Sequence, residues 1–562
     1  MHALVIRNGL LIDGTGAPRR MASVAVDGGR ITAVGDDIGA GYRDIDAAGR
    51  LVTPGFVDIH THYDGQALWD AYLTPSSVHG VTSAVFGNCG VGFAPVRPGA
   101  GSYLINLMEG VEDIPGTVLA EGVDFGWESF EEYMAALERR SHAIDFATQM
   151  PHSALRFYVM GERGADHAEM PTVDEIERMG VLLERALKAG ALGFTTSRTT
   201  KHKARDGRLV PSLTAGDPEL HGLAMAMRRA GKGVFEVNSD FGPGEYALLR
   251  AAAVTAGRPM SALLLQVGGN RGLWRETLAW VQSLRAEGLD ATAQVGARGI
   301  GVLMGLETSM NPFSDHPAWA ALEALPPPER LQRLREDGAL RRRLIEGRPD
   351  TPRTQLMAEW LQRTFPLGPE LDYEPDLTSA IGASAAASGT SPWAQALAHM
   401  MSSDGKAMLM YPIENYWDGS LETVREMLTA EGTVLGLADS GAHVGLICDG
   451  SQPTFLLSYW GRDRALGRID LETLVAKLTR DTAAAYGLND RGRIAPGMKA
   501  DLNVIDFDAL ALLPPEVVYD LPAGGKRILQ KARGYAHTFV SGIEILRDDG
   551  HTGELPGRLV RG

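Results

Sequence analysis

Hydrophobic and polar residues follow two periods along this chain, and the architecture is expected to change where the period does. The first fifty residues alternate as short strands do. Ala3–Ile6 and Leu10–Asp13 flank the turn pair Asn8-Gly9, and Ala22–Val26 and Arg30–Val34 flank Asp27-Gly28-Gly29, a hairpin signal. These strands alone bury too little to stand as a unit. Matching pieces recur at the other end: Asp501–Asp506, then His537–Val540 and Ile543–Leu546 around Ser541-Gly542. The expectation is one small β-sandwich built from both chain ends, residues 1–54 with 490–562.

Between these ends, strand and helix patterns take turns, which favours a parallel sheet. Thr172-Val-Asp-Glu175 is a capping box that opens a helix with Ile176, Met179, Leu183, Ala186 and Leu187 on one stripe. Gly190 ends that helix, and the strand Leu192–Thr196 follows. Apolar runs predict further strands at Val52–Ile59, Val81–Phe86, Gly233–Val237, Ala262–Val267, Ala291–Val295 and Thr433–Ala438. Helices at Trp274–Glu287 and Leu421–Glu431 lie among them. The count suits an α/β fold, a (β/α)8 TIM-like barrel over residues 55–489. Two stretches exceed a single strand-helix unit and read as inserts, about 95–150 and about 311–403. The second is a long helical insertion whose charged run, Arg330–Gly347, reads as a solvated helix face.

Composition narrows the function classes. A 562-residue chain with 44% hydrophobic and 22% charged residues is an ordinary globular protein of more than one structural unit. A net charge of −16 argues against nucleic acid as partner. No apolar run is long enough to span a bilayer, so no membrane partner is expected. The N-terminus lacks a basic stretch followed by an apolar core, so no secretory signal is read there. Two cysteines, Cys89 and Cys448, make no disulfide framework, and a cytoplasmic location is the default.

The chemistry concentrates at strand ends. His60 and His62 close the run Val-Thr-Pro-Gly-Phe-Val-Asp-Ile-His-Thr-His62. Residues i and i+2 of a strand share a face, so both imidazoles can reach one metal ion. A catalytic metal site keeps one position open for water. Asp439, in Leu437-Ala-Asp-Ser-Gly-Ala-His443, follows the last strand candidate and could both coordinate an ion and take a proton from water; a helix N-cap is the plainer role for it. Cys89, in Gly87-Asn-Cys-Gly90, is a thiolate candidate or a small buried hydrophobe, and its flanking glycines predict a tight backbone path. His202 and His443 are candidate ligands, proton shuttles or substrate contacts. Arg198, Arg271 and Arg298 each follow a strand candidate and could form a fork for a substrate carboxylate.

Together these motifs resemble the amidohydrolase superfamily, and most closely its N-acyl-D-amino-acid deacylase (D-aminoacylase-like) branch. The first-strand His-x-His, Gly87-Asn-Cys-Gly90, the Asp439 motif and Gly492-Arg-Ile-Ala-Pro-Gly-Met-Lys-Ala-Asp501 carry the likeness, which spans nearly the whole chain. The resemblance implies a metal-dependent hydrolase of a linear C–N amide bond, such as an N-acyl-D-amino acid. It implies one or two divalent ions, zinc first, held by His60, His62, Cys89 and Asp439. It also implies a metal-activated water whose proton Asp439 takes and passes to the leaving nitrogen. A small-molecule amide is the expected partner, and a barrel of this kind is expected to form a homo-oligomer. The chain departs from the branch where histidines at the ends of strands five and six are usual. Phe235-Glu-Val-Asn-Ser-Asp240 and Leu265-Gln-Val-Gly-Gly269 stand there instead, leaving Asn238, Asp240 and Gln266 as weaker oxygen ligands, with His202 able to reach in from its loop. Leu192–Thr196 offers no lysine for a carboxylated bridge, which counts against a hydantoinase-like cyclic amidase. A ligand-binding barrel that has lost catalysis is the remaining alternative.

Overall fold

The run expected as one strand, Val52–Ile59, is divided at Gly55. Leu51–Pro54 pairs with His2–Leu11 and Leu502–Ile505, whereas Phe56–Asp58 pairs in parallel with Val81–Phe86. A Cβ at Gly55 would lie 2.2 Å from the Thr82 Oγ1, so only glycine lets the chain pass from one sheet to the other here. The computed structural model describes residues 1–562.

The first sheet has nine strands and takes them from both chain ends. Its path runs Gly550–His551, Ile543–Arg547, Tyr535–Val540, Leu502–Ile505, Leu51–Pro54, His2–Leu11, Arg20–Asp27, Arg30–Gly35, with Gly41–Asp46 also on His2–Leu11. The turn expected at Asn8-Gly9 is a bulge inside one long strand: Asn8 has φ 53°, and the register with Arg20–Asp27 shifts between Ile6 and Gly9. Leu4, Ile6, Val24, Val52, Leu502, Val504 and Phe539 form this sheet's apolar core.

Parallel strands make up the rest of the scaffold: β1 (Phe56–Asp58), β2 (Val81–Phe86), β3 (Asp145–Thr148), β4 (Gly193–Arg198), β5 (Val234–Ser239), β6 (Met260–Leu263), β7 (Ala291–Val295) and β8 (Thr433–Leu435). β1, β2 and β3 form one sheet, and β4 to β8 pair in sequence order in another that begins with Met150–Pro151, one residue past β3. A single parallel bridge, Thr61 to Ser440, brings the chain after β8 back to the chain after β1, with His62 N donating to Ser440 O (2.8 Å) and Asp439 N to His60 O (3.1 Å). The helix that leads into β4 spans Val173–Ala189. Both halves of its capping box form, Gly190 caps it in the left-handed conformation, and Met179, Leu183, Ala186 and Leu187 are buried.

Both inserts are helical. Residues 95–150 supply Gly101–Glu112, Gly116–Gly122 and Phe130–Glu138, but they also include the scaffold strand β3, so the insert ends before Asp145 rather than at 150. The second insert packs six helices and the small sheet Ile300–Met304, Phe365–Leu367, Met408–Glu414 around its own core, which includes Trp319, Leu334, Leu344 and Trp393. Its charged run is two helices, Pro327–Glu336 and Gly338–Glu346, which bury Leu331, Leu334, Leu340 and Leu344 and leave every charged side chain except Arg330 at least partly exposed. That guanidinium is buried and donates to the carbonyls of Leu306, Leu322, Glu323 and Leu325. No helix of the chain is long and apolar enough to cross a membrane.

Candidate metal centre

His60 and His62 follow β1 and are fully buried. His60 Nε2 lies 3.2 Å from Asp439 Oδ1 and 3.5 Å from Cys89 Sγ, and His62 Nε2 lies 3.6 Å from the same Asp439 oxygen. The tautomer of His60 is set by its far side. Gln294 on β7 donates its amide to Ser261 Oγ (3.0 Å) and Tyr486 OH (3.1 Å), which turns its carbonyl oxygen toward His60 Nδ1 at 2.7 Å. Nδ1 therefore carries the proton, and the lone pair of Nε2 faces Asp439 and Cys89.

Cys89 reaches this point through a contorted backbone. It has φ 56° between Gly87 (φ 83°) and Gly90 (φ 68°). A Cβ at Gly87 would meet Gln149 O at 2.4 Å, and one at Gly90 would meet Ser197 N at 2.7 Å. The tight path read from the sequence is thus a real steric requirement. Asp439 also has a positive φ, 46°. Each non-glycine residue held there costs on the order of 1–3 kcal/mol, a burden that concentrates at functional sites.

The electrostatics are those of a negative pocket. Burial raises the Cys89 thiol well above its ordinary range, and the charges of Glu112, Glu236 and Asp439 add to the effect. Burial raises Glu112 and Glu236 as well. Burial lowers the His62 imidazole to about 4 against the pull of Asp439. Burial works to raise Asp439 too, but its hydrogen bond to His62 and the neighbouring histidines outweigh that and hold it below the carboxylate range. With 17% exposure, Asp439 is the member of the set open to the mouth. The ligand atoms of His60, His62 and Cys89 lie within 4.8 Å of one another, all buried. Two imidazoles, a thiol that would bind as thiolate, and a carboxylate converge here, a donor set that fits a divalent ion bonded at about 2.0–2.3 Å.

The structure brings some of the other predicted residues to this cluster and not the rest. Asn238 Nδ2 lies 3.6 Å from Cys89 Sγ and 3.4 Å from His202 Nε2, while Ser197 Oγ holds His202 Nδ1 at 2.9 Å. Burial lowers His202 to about 3. His443 sits at the mouth, 27% exposed, with Nε2 3.8 Å from Glu112 Oε2. Asp240 is taken up by Thr199 and Thr200 at 2.5–2.8 Å. Gln266 donates to Asp418 (2.5 Å), and its oxygen accepts from Trp417 N (3.2 Å). Arg198 is buried in an ion pair with Glu245. Arg298 is 2% exposed, lies 3.9 Å from the Tyr373 ring centroid and donates to Cys448 O, Asp449 and Ser451. Arg271 is on the surface against Asp418. Asp240, Gln266, Arg198 and Arg271 pair with neighbours outside the cluster, and Arg298 does so through Nη2 alone, its Nε and Nη1 being buried without a hydrogen-bond partner.

Two carboxylates of the cluster escape the sequence reading. Glu236 accepts from Gln149 (3.0 Å) and Cys89 N (3.3 Å) and lies 3.9 Å from His60 Nδ1. It stands two residues before Asn238 on the same strand, so strand alternation already puts both on one face. Glu112 ends the helix Gly101–Glu112 and faces His62. Its signal was its place on the buried stripe with Leu104, Met108 and Val111.

Comparison with known proteins follows the same lines. The sequence model of the amidohydrolase family matches residues 43–544. D-aminoacylase of Alcaligenes xylosoxydans xylosoxydans is 27% identical over 573 residues, covering 99% of this chain and 97% of that one. N-acyl-D-glutamate deacylase of the same organism is 32% identical over 302 residues, 52% of this chain and 56% of that one. A solved structure of D-aminoacylase matches at TM-score 0.65 and 25% identity over 100% of both chains. D-aminoacylase has a binuclear metal centre in which one metal activates and a second attenuates.

Proposed function

The chain belongs to the amidohydrolase family and is a hydrolase of carbon–nitrogen bonds other than peptide bonds, and from that premise we propose that it hydrolyses a linear N-acyl amide, an N-acyl-D-amino acid first. Parallel strands β1 to β8 act as a (β/α)8 barrel over residues 55–489, beside a β domain of residues 1–54 and 490–562; the sequence-order pairing and the Thr61–Ser440 bridge support that reading. His60, His62, Cys89 and Asp439 would hold a divalent ion, zinc first, and a second ion would draw on Cys89, His202 and Asn238. Such an ion supplies a Lewis acid that polarises a carbonyl oxygen and lowers the pKa of water.

The remaining work falls to the chain's own groups. Asp439, held as a carboxylate and open to the mouth, takes the proton of the attacking water. The water oxygen adds to the acyl carbon, the C–N bond breaks, and Asp439 returns the proton to the leaving nitrogen. Gln294 and Glu236 keep His60 oriented, and the burial of both histidines keeps bulk water from their far sides. The observation that carries this reading is the convergence of His60, His62 and Cys89 in a buried pocket against Asp439.

The test is amine release from a panel of N-acyl-D- and N-acyl-L-amino acids by protein whose metal content has been measured. One or two equivalents of divalent metal per chain, with faster release from the D series, is the expected result. A metal-loaded, folded protein that releases amine from neither series would remove the reading.

A further inference from the structure

We infer that Glu112, delivered by the first helical insert, is a positioning residue whose Oε1 accepts from Nδ1–H of His62 and so holds the Nε2 lone pair of His62 toward Asp439. The inference rests on the proposed metal site and adds to it a residue from outside the parallel strands. His62 Nδ1 and Glu112 Oε1 are both buried, neither has another hydrogen-bond partner, and they lie 3.4 Å apart. The two histidines of the pair are therefore held differently: His60 by the neutral carbonyl of Gln294 at 2.7 Å, His62 by a carboxylate.

Glu112 is badly placed for stability alone. It is 2% exposed, among buried side chains of the insert. It is also the last residue of Gly101–Glu112, where the helix dipole is negative and disfavours a carboxylate. Its main chain is pinned to the last-strand loop, since His443 N donates to Glu112 O at 2.5 Å. The insert thereby ties His62, on the first-strand loop, to His443, on the last. A carboxylate on the far nitrogen of a ligating histidine fixes its tautomer and raises its basicity, and loss of such a partner costs about 10–100-fold in metal affinity.

The experiment compares wild type, Glu112→Gln and Glu112→Leu. Zinc affinity is measured by competition with a chelator. The tautomer of His62 is read in the metal-free protein from histidine ¹⁵N shifts, its signal assigned as the one lost in His62→Gln. E112L should bind zinc about 10–100-fold more weakly and lose the Nδ1–H signature, while E112Q, whose amide oxygen still accepts, should keep the signature and most of the affinity. Unchanged affinity and tautomer in E112L would overturn the inference. A failure of wild type to bind zinc would sink the functional reading instead, and the tautomer comparison would still decide the role of Glu112. Should E112L not fold, loss or retention of the Nδ1–H signature in Glu112→Ala decides it.

Discussion

Two clusters of buried charge sit at opposite ends of the same parallel strands, and they are neutralised in different ways. At the N-terminal ends, Arg491 meets Asp145 (2.7 Å), and Lys499 meets both Asp145 (3.0 Å) and Asp501 (2.6 Å), with Arg491 also on Ser83 of β2. Two buried acids face two of the chain's own cations, and the set joins the parallel strands to the nine-stranded sheet. At the C-terminal ends, Glu112, Glu236 and Asp439 face one another, and the only basic groups paired with them are histidines. The first cluster gives each acid a cation of the chain's own. The second is short of positive charge; burial raises its acids Glu112 and Glu236, as it also raises Asp501 in the first, but no lysine or arginine pairs with them. A closed charge balance marks a clasp between layers; an open one marks a place built for a cation.

The largest effect should come from breaking the open cluster at its exposed member. Asp439→Asn keeps the shape and removes the base, so kcat should fall about 10²–10⁴-fold, while the melting temperature barely moves. A D439N enzyme that retains a tenth or more of wild-type kcat would deny Asp439 the proton-transfer role. The converse holds for the closed cluster. Arg491→Leu leaves Asp145 and Asp501 to share the one cation Lys499, and removing one partner of a buried ion pair costs up to about 3–5 kcal/mol. Urea unfolding should show that loss, with kcat per folded molecule unchanged. A variant with wild-type stability and impaired turnover would show that the two ends are not divided between folding and chemistry as the charges indicate.

Legibility in the sequence tracks how local each cause is. The Thr172–Glu175 box, the Met179–Leu187 stripe and Gly190 fix one helix within eighteen or so residues, and the structure has that helix as expected. Val81–Phe86 and Ala291–Val295 are strands with the expected bounds because their apolar runs end at turn residues. Val52–Ile59 is divided because Thr82 crowds Gly55, a contact between distant residues that no window on the run contains. The site divides similarly. His60, His62, Cys89 and Asp439 each lie at the end of a strand candidate. Glu112 enters from an insert whose docking depends on tertiary packing, and Arg198 and Arg298 look available until Glu245 and Asp449 claim them.

Arg298 and Asp449 offer the subtlest test, because they lie between the two cases: one cation, one acid, both buried and 3.1 Å apart. Burial dominates here, and it raises Asp449 from 3.8 to about 6 although Arg298 pulls the other way. The sign follows from proton binding. Between pH 4 and pH 6 the folded chain keeps a proton on Asp449 that the unfolded chain has lost, so this group's contribution to stability falls as pH rises through that window. The full span is worth about 1–3 kcal/mol. Asp449→Asn has no proton to lose and should show a flatter dependence of unfolding free energy on pH over that range. Its offset from losing the partner of Arg298 is the same at every pH and leaves the slope untouched. Parallel curves for the two proteins would mean that Arg298 neutralises Asp449 as fully as Arg491 and Lys499 neutralise Asp145, and the pair would then belong with the closed cluster.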